Sequence, residues 1–330
     1  MSVFLLTLLF QLQANGFLYS DAVADRLIRD TMRSTYNLHL ADARASAKQL
    51  EDRYPDHPAG YTLMAETYWW EAQSDPGNSA IESNYYAAQK LAVEKGEGAV
   101  KLAKYSKVET TAYLGSVWGS YARFQVTQKE AYYSALRAGL RAHDYAEQVY
   151  AMDKSYYDIY VGLGAFNYFA GTLPSVIKPF AWLFGAKGNR DLGIDQLKTA
   201  MSNARYSQTE ARIVYYTAML EEKNWPESFR TLEQLRKDWP DNFVLFTWVT
   251  DWYRQQSRNL AGADYFEKVF NDEMKRSPLM AKYALLEKAQ LQDAENHRAD
   301  AIQTLNRLKA LPGSDPLVTK KLQVLEKSFK

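Results

Sequence analysis

The chain reads as an all-α protein, a right-handed α-solenoid of about seven helical hairpins with a C-terminal capping helix. Three observations predict this. Apolar residues recur at three- and four-residue spacing, as in Leu27, Ile28 and Met32 and again in Leu40, Ala43, Ala47 and Leu50, which is the period of a helix with one buried stripe. Strand-like alternation is nowhere sustained. Pro240, Pro278 and Pro312 follow one another at 38 and 34 residues, the length of one helix-turn-helix unit of a solenoid.

Taken in order, the chain opens on Val3–Leu12, an apolar run too short to span a bilayer, which takes about 20 residues, but the size of a signal-peptide core. Ala14 and Gly16 supply small residues for a cut before Phe17, although no basic residue precedes the run. Residues 1–16 are therefore expected to be a cleaved signal that sends the chain to the periplasm or cell envelope. The alternative is an apolar N-terminal segment of a cytoplasmic protein. Residues 17–330 are expected to form a single helical repeat domain.

The breaks Tyr54-Pro55-Asp56-His57-Pro58, Asp75-Pro76-Gly77-Asn78, Gly96-Glu97-Gly98, Asn224-Trp225-Pro226, Trp239-Pro240-Asp241-Asn242, Ser277-Pro278 and Pro312-Gly313-Ser314-Asp315-Pro316 each read as a helix stop or start. They delimit hairpins at about 20–54, 58–95, 107–152, 155–204, 207–239, 241–275 and 278–311. A last helix at about 315–328 turns Leu317, Leu322 and Leu325 toward the stack. The fourth hairpin carries an insertion at about 171–188. There Gly171 and Leu173-Pro174 end a helix, Val176 to Phe184 form an apolar segment, Gly185 and Gly188 break it, and Asn189 or Asp191 caps the next helix.

The residues inside these hairpins resemble the tetratricopeptide repeat, a 34-residue pair of antiparallel helices. Tyr61, Met64-Ala65 and Tyr68 match its first-helix pattern, as do Thr111, Leu114-Gly115 and Trp118, and Tyr160, Leu163-Gly164 and Asn167. Leu245, Trp248-Val249 and Trp252 follow it more loosely. Ala43, Ala47, Leu50 and Pro55 match the second-helix pattern, as do Gly193, Leu197 and Ala200, then Ser228, Leu232, Leu235 and Pro240, then Ala301, Leu305 and Leu308. The units are degenerate. The stretch Gly162–Ala200 also resembles a segment of the inclusion-body-clearance type of tetratricopeptide family, with Asn189 where that family carries Asp. This implies kinship in architecture and no activity.

The resemblance implies a concave face lined by first helices. Counting from the matched positions places Glu66, Trp69, Trp70, Tyr168, Phe169, Tyr253 and Arg254 there, with packing between hairpins as the competing role for the aromatic residues. Repeats that clamp a chaperone's C-terminal carboxylate carry Lys, Asn and Arg at such places; Glu66, Trp69 and Tyr168 stand here instead, so that ligand is not implied.

Chemistry of other kinds finds little footing. Lys plus Arg number 40 against 39 Asp plus Glu, and a net charge of +1 gives no field to draw nucleic acid or an anionic membrane. The absence of cysteine removes disulfides, thiolate metal sites, a cysteine nucleophile and a lipidated N-terminal cysteine. His39, His57, His143 and His297 stand apart without metal or general-base spacing and read as surface or turn residues. Gly115-Ser116-Val117-Trp118-Gly119 misplaces the serine for a nucleophile elbow, and Gly185-Ala186-Lys187-Gly188 is too short to cradle a triphosphate. The expected function is thus a non-enzymatic scaffold, without cofactor or metal, that binds a protein or peptide on its concave face. The alternative is a small-ligand or glycan-binding repeat protein of the cell envelope, using its many Tyr and Trp as platforms.

Overall fold

The computed structural model describes residues 18–102, 104–172 and 188–329. The predicted signal and the apolar segment Val176–Phe184 lie outside them. Among the described residues the regular structure is helical throughout, with no strand. The chain divides into two compact units, Met1–Ala218 and Met219–Lys330.

The first unit holds α1 (Ala22–Tyr36), α2 (Leu40–Arg53), α3 (Pro58–Ser74), α4 (Ser79–Leu102), α5 (Lys107–Lys129), α6 (Tyr132–Met152), α7 (Tyr160–Thr172), α8 (Arg190–Asn203) and most of α9 (Gln208–Glu221). The second holds α10 (Trp225–Asp238), α11 (Val244–Gln255), α12 (Asn259–Arg276), α13 (Pro278–Ala294), α14 (Arg298–Ala310) and α15 (Pro316–Ser328). Within each unit neighbouring helices pack against one another, most extensively α1 with α2, α3 with α4, α5 with α6, α7 with α8 and α12 with α13. In α7 and α8, Gly164 lies against Leu197 and Gly171 against Arg190, so the two chains run in opposite senses.

Capping explains why the predicted boundaries fall where they do. Asp21, Ser106, Asn189, Asn224, Ser277 and Asp315 each accept hydrogen bonds from backbone N–H groups of the turn they precede, and proline follows directly in the last two cases. Small residues explain the closeness of the pairs. A Cβ on Gly193 would stand 2.5 Å from the Tyr168 backbone nitrogen, so only glycine permits this approach of α7 and α8.

Two expectations change. Gly96-Glu97-Gly98 does not end the second hairpin, because α4 runs through it to Leu102. Gly96 serves packing instead: its missing Cβ makes room for Leu114 of α5, whose Cδ1 would lie 2.9 Å from it. On α15 the buried residue is Val318, while Leu317, Leu322 and Leu325 are half-buried.

The core of each unit is apolar and aromatic. In the first, Tyr85 of α4 stacks on Phe124 of α5 at 3.9 Å between centroids; in the second, Phe243 stacks on Tyr283 at the same distance. Burial of each such ring removes a large apolar area from water and adds roughly 0.5–1.5 kcal/mol of ring–ring attraction.

Candidate functional site

The concave-face residues expected from the sequence divide by environment. Trp69, Trp70, Tyr168 and Tyr253 are all buried. Trp69 lies under the Arg123 guanidinium of α5 at 3.7 Å, Trp70 meets Tyr36 of α1 edge-on at 6.0 Å, the Tyr168 hydroxyl donates to the Ala218 carbonyl of α9 at 2.9 Å, and Tyr253 packs edge-on against Phe229 of α10 at 6.0 Å. These four side chains hold helices together. Phe169 and Arg254 are exposed, and Arg254 lies 3.8 Å from Asp251 of its own helix.

Glu66 and Trp69 belong to a charged cluster that sequence reasoning did not find. Its centre is Arg123 of α5, whose Nη2 lies 2.5 Å from Glu66 Oε2 of α3 and whose Nη1 lies 2.7 Å from Glu210 Oε2 of α9. The guanidinium also sits 3.7 Å over the Trp69 ring, and the Tyr36 hydroxyl of α1 donates to Glu210 Oε1 at 3.1 Å. Four helices of the first unit therefore meet on one cation. Burial alone would disfavour the Arg123 charge, but Glu66 and Glu210 outweigh it and raise its pKa; burial likewise raises that of the Glu210 carboxyl. The contact of α9 with α1 is reinforced outside the cluster, where Arg205 and the Tyr206 hydroxyl reach Asp25 at 2.9 and 2.7 Å.

A second buried pair involves His57, which the sequence placed at a surface or turn. It does begin a helix, accepting the Ala59 N–H at Nδ1, yet it is 1% exposed. A neutral ring that accepts at Nδ1 carries its proton on Nε2. That nitrogen lies 3.9 Å from Glu109 Oε2, which itself accepts the Leu18 N–H at 2.8 Å. Tyr105 and Tyr113 meet the imidazole edge-on at 4.7 and 5.5 Å. Desolvation pushes the Glu109 carboxyl up to about 7 and the His57 imidazole down to about 3. Glu109 is wholly buried, so this pair meets no substrate in the described structure.

The surface of the third hairpin carries the opposite arrangement. Trp118 and Tyr121 of α5, with Tyr133, Ser134, Arg137, Ala138 and Arg141 of α6, line a cleft of about 230 Å³. The Arg141 guanidinium lies 4.5 Å over the Trp118 ring, and Trp118 meets Tyr121 edge-on at 6.0 Å. Both arginines are exposed, and among the described residues neither has a carboxylate partner. The signal for this cleft was present as Arg137 and Arg141 at helical i, i+4 spacing, but Trp118 joins them only through the register of α5 against α6.

In the second unit two carboxylates are internally tied. Glu287, buried, accepts the Thr250 and Thr247 hydroxyls at 2.7 and 3.1 Å, while Glu267 takes both Nη atoms of Arg307 at 2.8 and 2.9 Å and is held at about 2, chiefly by that hydrogen bonding. Among the described residues no three His, Asp or Glu gather as metal ligands, and no helix is long and apolar enough to cross a membrane.

No protein-family model matches this chain, and no curated protein matches it. Among solved structures it is similar to a tetratricopeptide repeat protein from Parabacteroides merdae ATCC 43184, with 12% identity and a TM-score of 0.37 over 91% of this chain and 99% of the other.

Proposed function

We propose that this chain is a non-enzymatic helical scaffold that binds a protein or peptide segment of a partner. The observation that supports this reading is the contrast across the third hairpin. Charged groups turned into the unit are paired with one another, whereas Arg137 and Arg141 stand at the surface beside Trp118 and Tyr121. Trp, Tyr and Arg are the side chains that most often anchor protein interfaces. Stacked hairpins present such groups on rigid faces, which suits recognition of extended or helical segments.

The reading includes export to the cell envelope, supported by the apolar run Val3–Leu12 and the small residues Ala14 and Gly16. Mass spectrometry of the chain from its native cell tests this part: a first residue of Phe17 is expected, and a chain still beginning at Met1 removes it.

The scaffold itself is tested by placing a photoreactive benzoylphenylalanine at Tyr121 and, as a control, at exposed Val324 of α15. Irradiation in native extract is expected to give one discrete cross-linked partner from position 121 and none from 324. The same diffuse products from both positions, or none from either, would refute a defined binding face.

A further inference from the structure

We propose that the cleft between α5 and α6 receives an acidic side chain of a partner peptide, its carboxylate between Arg137 and Arg141 and a neighbouring apolar residue against Trp118 and Tyr121. This rests on the scaffold reading and names the ligand class of its site.

Charge is the first argument. Most arginines elsewhere among the described residues have acidic partners, such as Arg205 with Asp25, Arg230 with Glu227, Arg276 with Asp241 and Arg307 with Glu267, while Arg26, Arg258 and Arg298 stand singly without an ion pair. Arg137 and Arg141, one helical turn apart, have none among the described residues. Like charges at that spacing repel, so an anion bridging them removes a repulsion as well as adding an attraction. A guanidinium also offers the planar fork that matches a carboxylate.

Size is the second. About 230 Å³ falls below the range of roughly 300–1,000 Å³ typical of small-molecule sites. The cleft accommodates one side chain of a longer segment better than a cofactor or an oligosaccharide. The aromatic wall fits the same ligand, since Trp118 and Tyr121 offer ring surface beside the charges and a peptide can supply both carboxylate and apolar group from adjacent residues. The last is range. With a net charge of +1 the chain exerts little pull on an anionic surface, so recognition depends on contact within a Debye length and not on the field of a membrane.

The test uses the full chain and two blocked peptides, N-acetyl-Gly-Phe-Glu-Glu-Phe-Gly-amide and its Gln-Gln counterpart, titrated calorimetrically. The Glu peptide is expected to bind about tenfold or more tightly than the Gln peptide in about 50 mM salt, the ratio narrowing at about 0.5 M. An Arg137→Gln/Arg141→Gln variant with unchanged circular dichroism and melting is expected to bind both peptides alike. Equal binding by the parent chain, or discrimination that survives in the double variant, overturns the proposal. If neither peptide binds, the acidic ligand is wrong, and the cross-link from position 121 still judges the scaffold. Adsorption to phosphatidylglycerol vesicles that the double variant abolishes, without discrimination between the peptides, assigns the arginines to a lipid surface and also overturns it.

Discussion

Helix α5 takes part in two arginine–tryptophan stacks that look alike and differ in one respect. Arg123 of α5 lies 3.7 Å over Trp69 and holds Glu66 and Glu210; Arg141 of α6 lies 4.5 Å over Trp118 of α5 and holds no carboxylate. The first stack is closed, joining α1, α3, α5 and α9. The second is open to solvent. The same residue pair thus serves cohesion where acids converge on it and leaves its arginine exposed where none do.

Removing the centre of the closed stack is expected to have the largest effect. Arg123→Met leaves Glu66 and Glu210 facing one another without a cation, a change that costs about 3–5 kcal/mol in fully buried networks and toward the lower end of that range here, where the three side chains keep about 20% exposure. Urea unfolding of the whole chain measures it, and a loss under about 1 kcal/mol would mean that the cluster is not what joins these helices.

Glu109 gives the next largest effect, and it depends on pH. Its folded pKa of about 7 lies above the ordinary 4.5, so folding favours the protonated form. The stability tied to that proton is complete below pH 4.5 and is lost as pH rises through about 7. A shift of this size corresponds to about 3 kcal/mol at pH 9. Glu109→Gln is therefore expected to match the parent near pH 4.5 and exceed it by about that amount at pH 9; an advantage that does not change with pH contradicts the assignment. His57 acts oppositely, since its depressed pKa withdraws stability as pH falls from 6.5 toward 3.

A smaller loss is expected from Gly193→Ala, where the new methyl would press on the Tyr168 backbone and cost about 1–3 kcal/mol in urea unfolding. An unchanged midpoint would show that α7 and α8 can separate without penalty. The smallest effect belongs to Phe169→Ala and Arg254→Ala, both exposed, each expected to stay within about 0.5 kcal/mol of the parent. A larger loss in either would show that it packs in the fold like Trp70.

Much of this fold was legible because its stops are chemical. Ser277-Pro278 and Asp315-Pro316 cap and start helices by local hydrogen bonding, which sequence alone specifies. Gly96 was misread because its role is set by Leu114, and a glycine's packing partner does not show in its flanking residues. The candidate sites were less legible still. Glu109 and His57 lie on different hairpins, so no local motif joins them, and Glu66 finds Arg123 only after helices pack. The aromatic pattern that suggested a groove at Trp69, Trp70, Tyr168 and Tyr253 is also the pattern of a core, and at those positions the side chains are buried.

The most direct test of the closed-against-open distinction is calorimetric melting of the parent chain and the Arg137→Gln/Arg141→Gln variant, each with and without the Glu-Glu peptide. The two chains should melt together when free, and saturating peptide should raise only the parent, as a ligand that binds the native state must. A free double variant that melts several degrees lower, together with a parent that the peptide leaves unmoved, would make the open stack structural like the closed one.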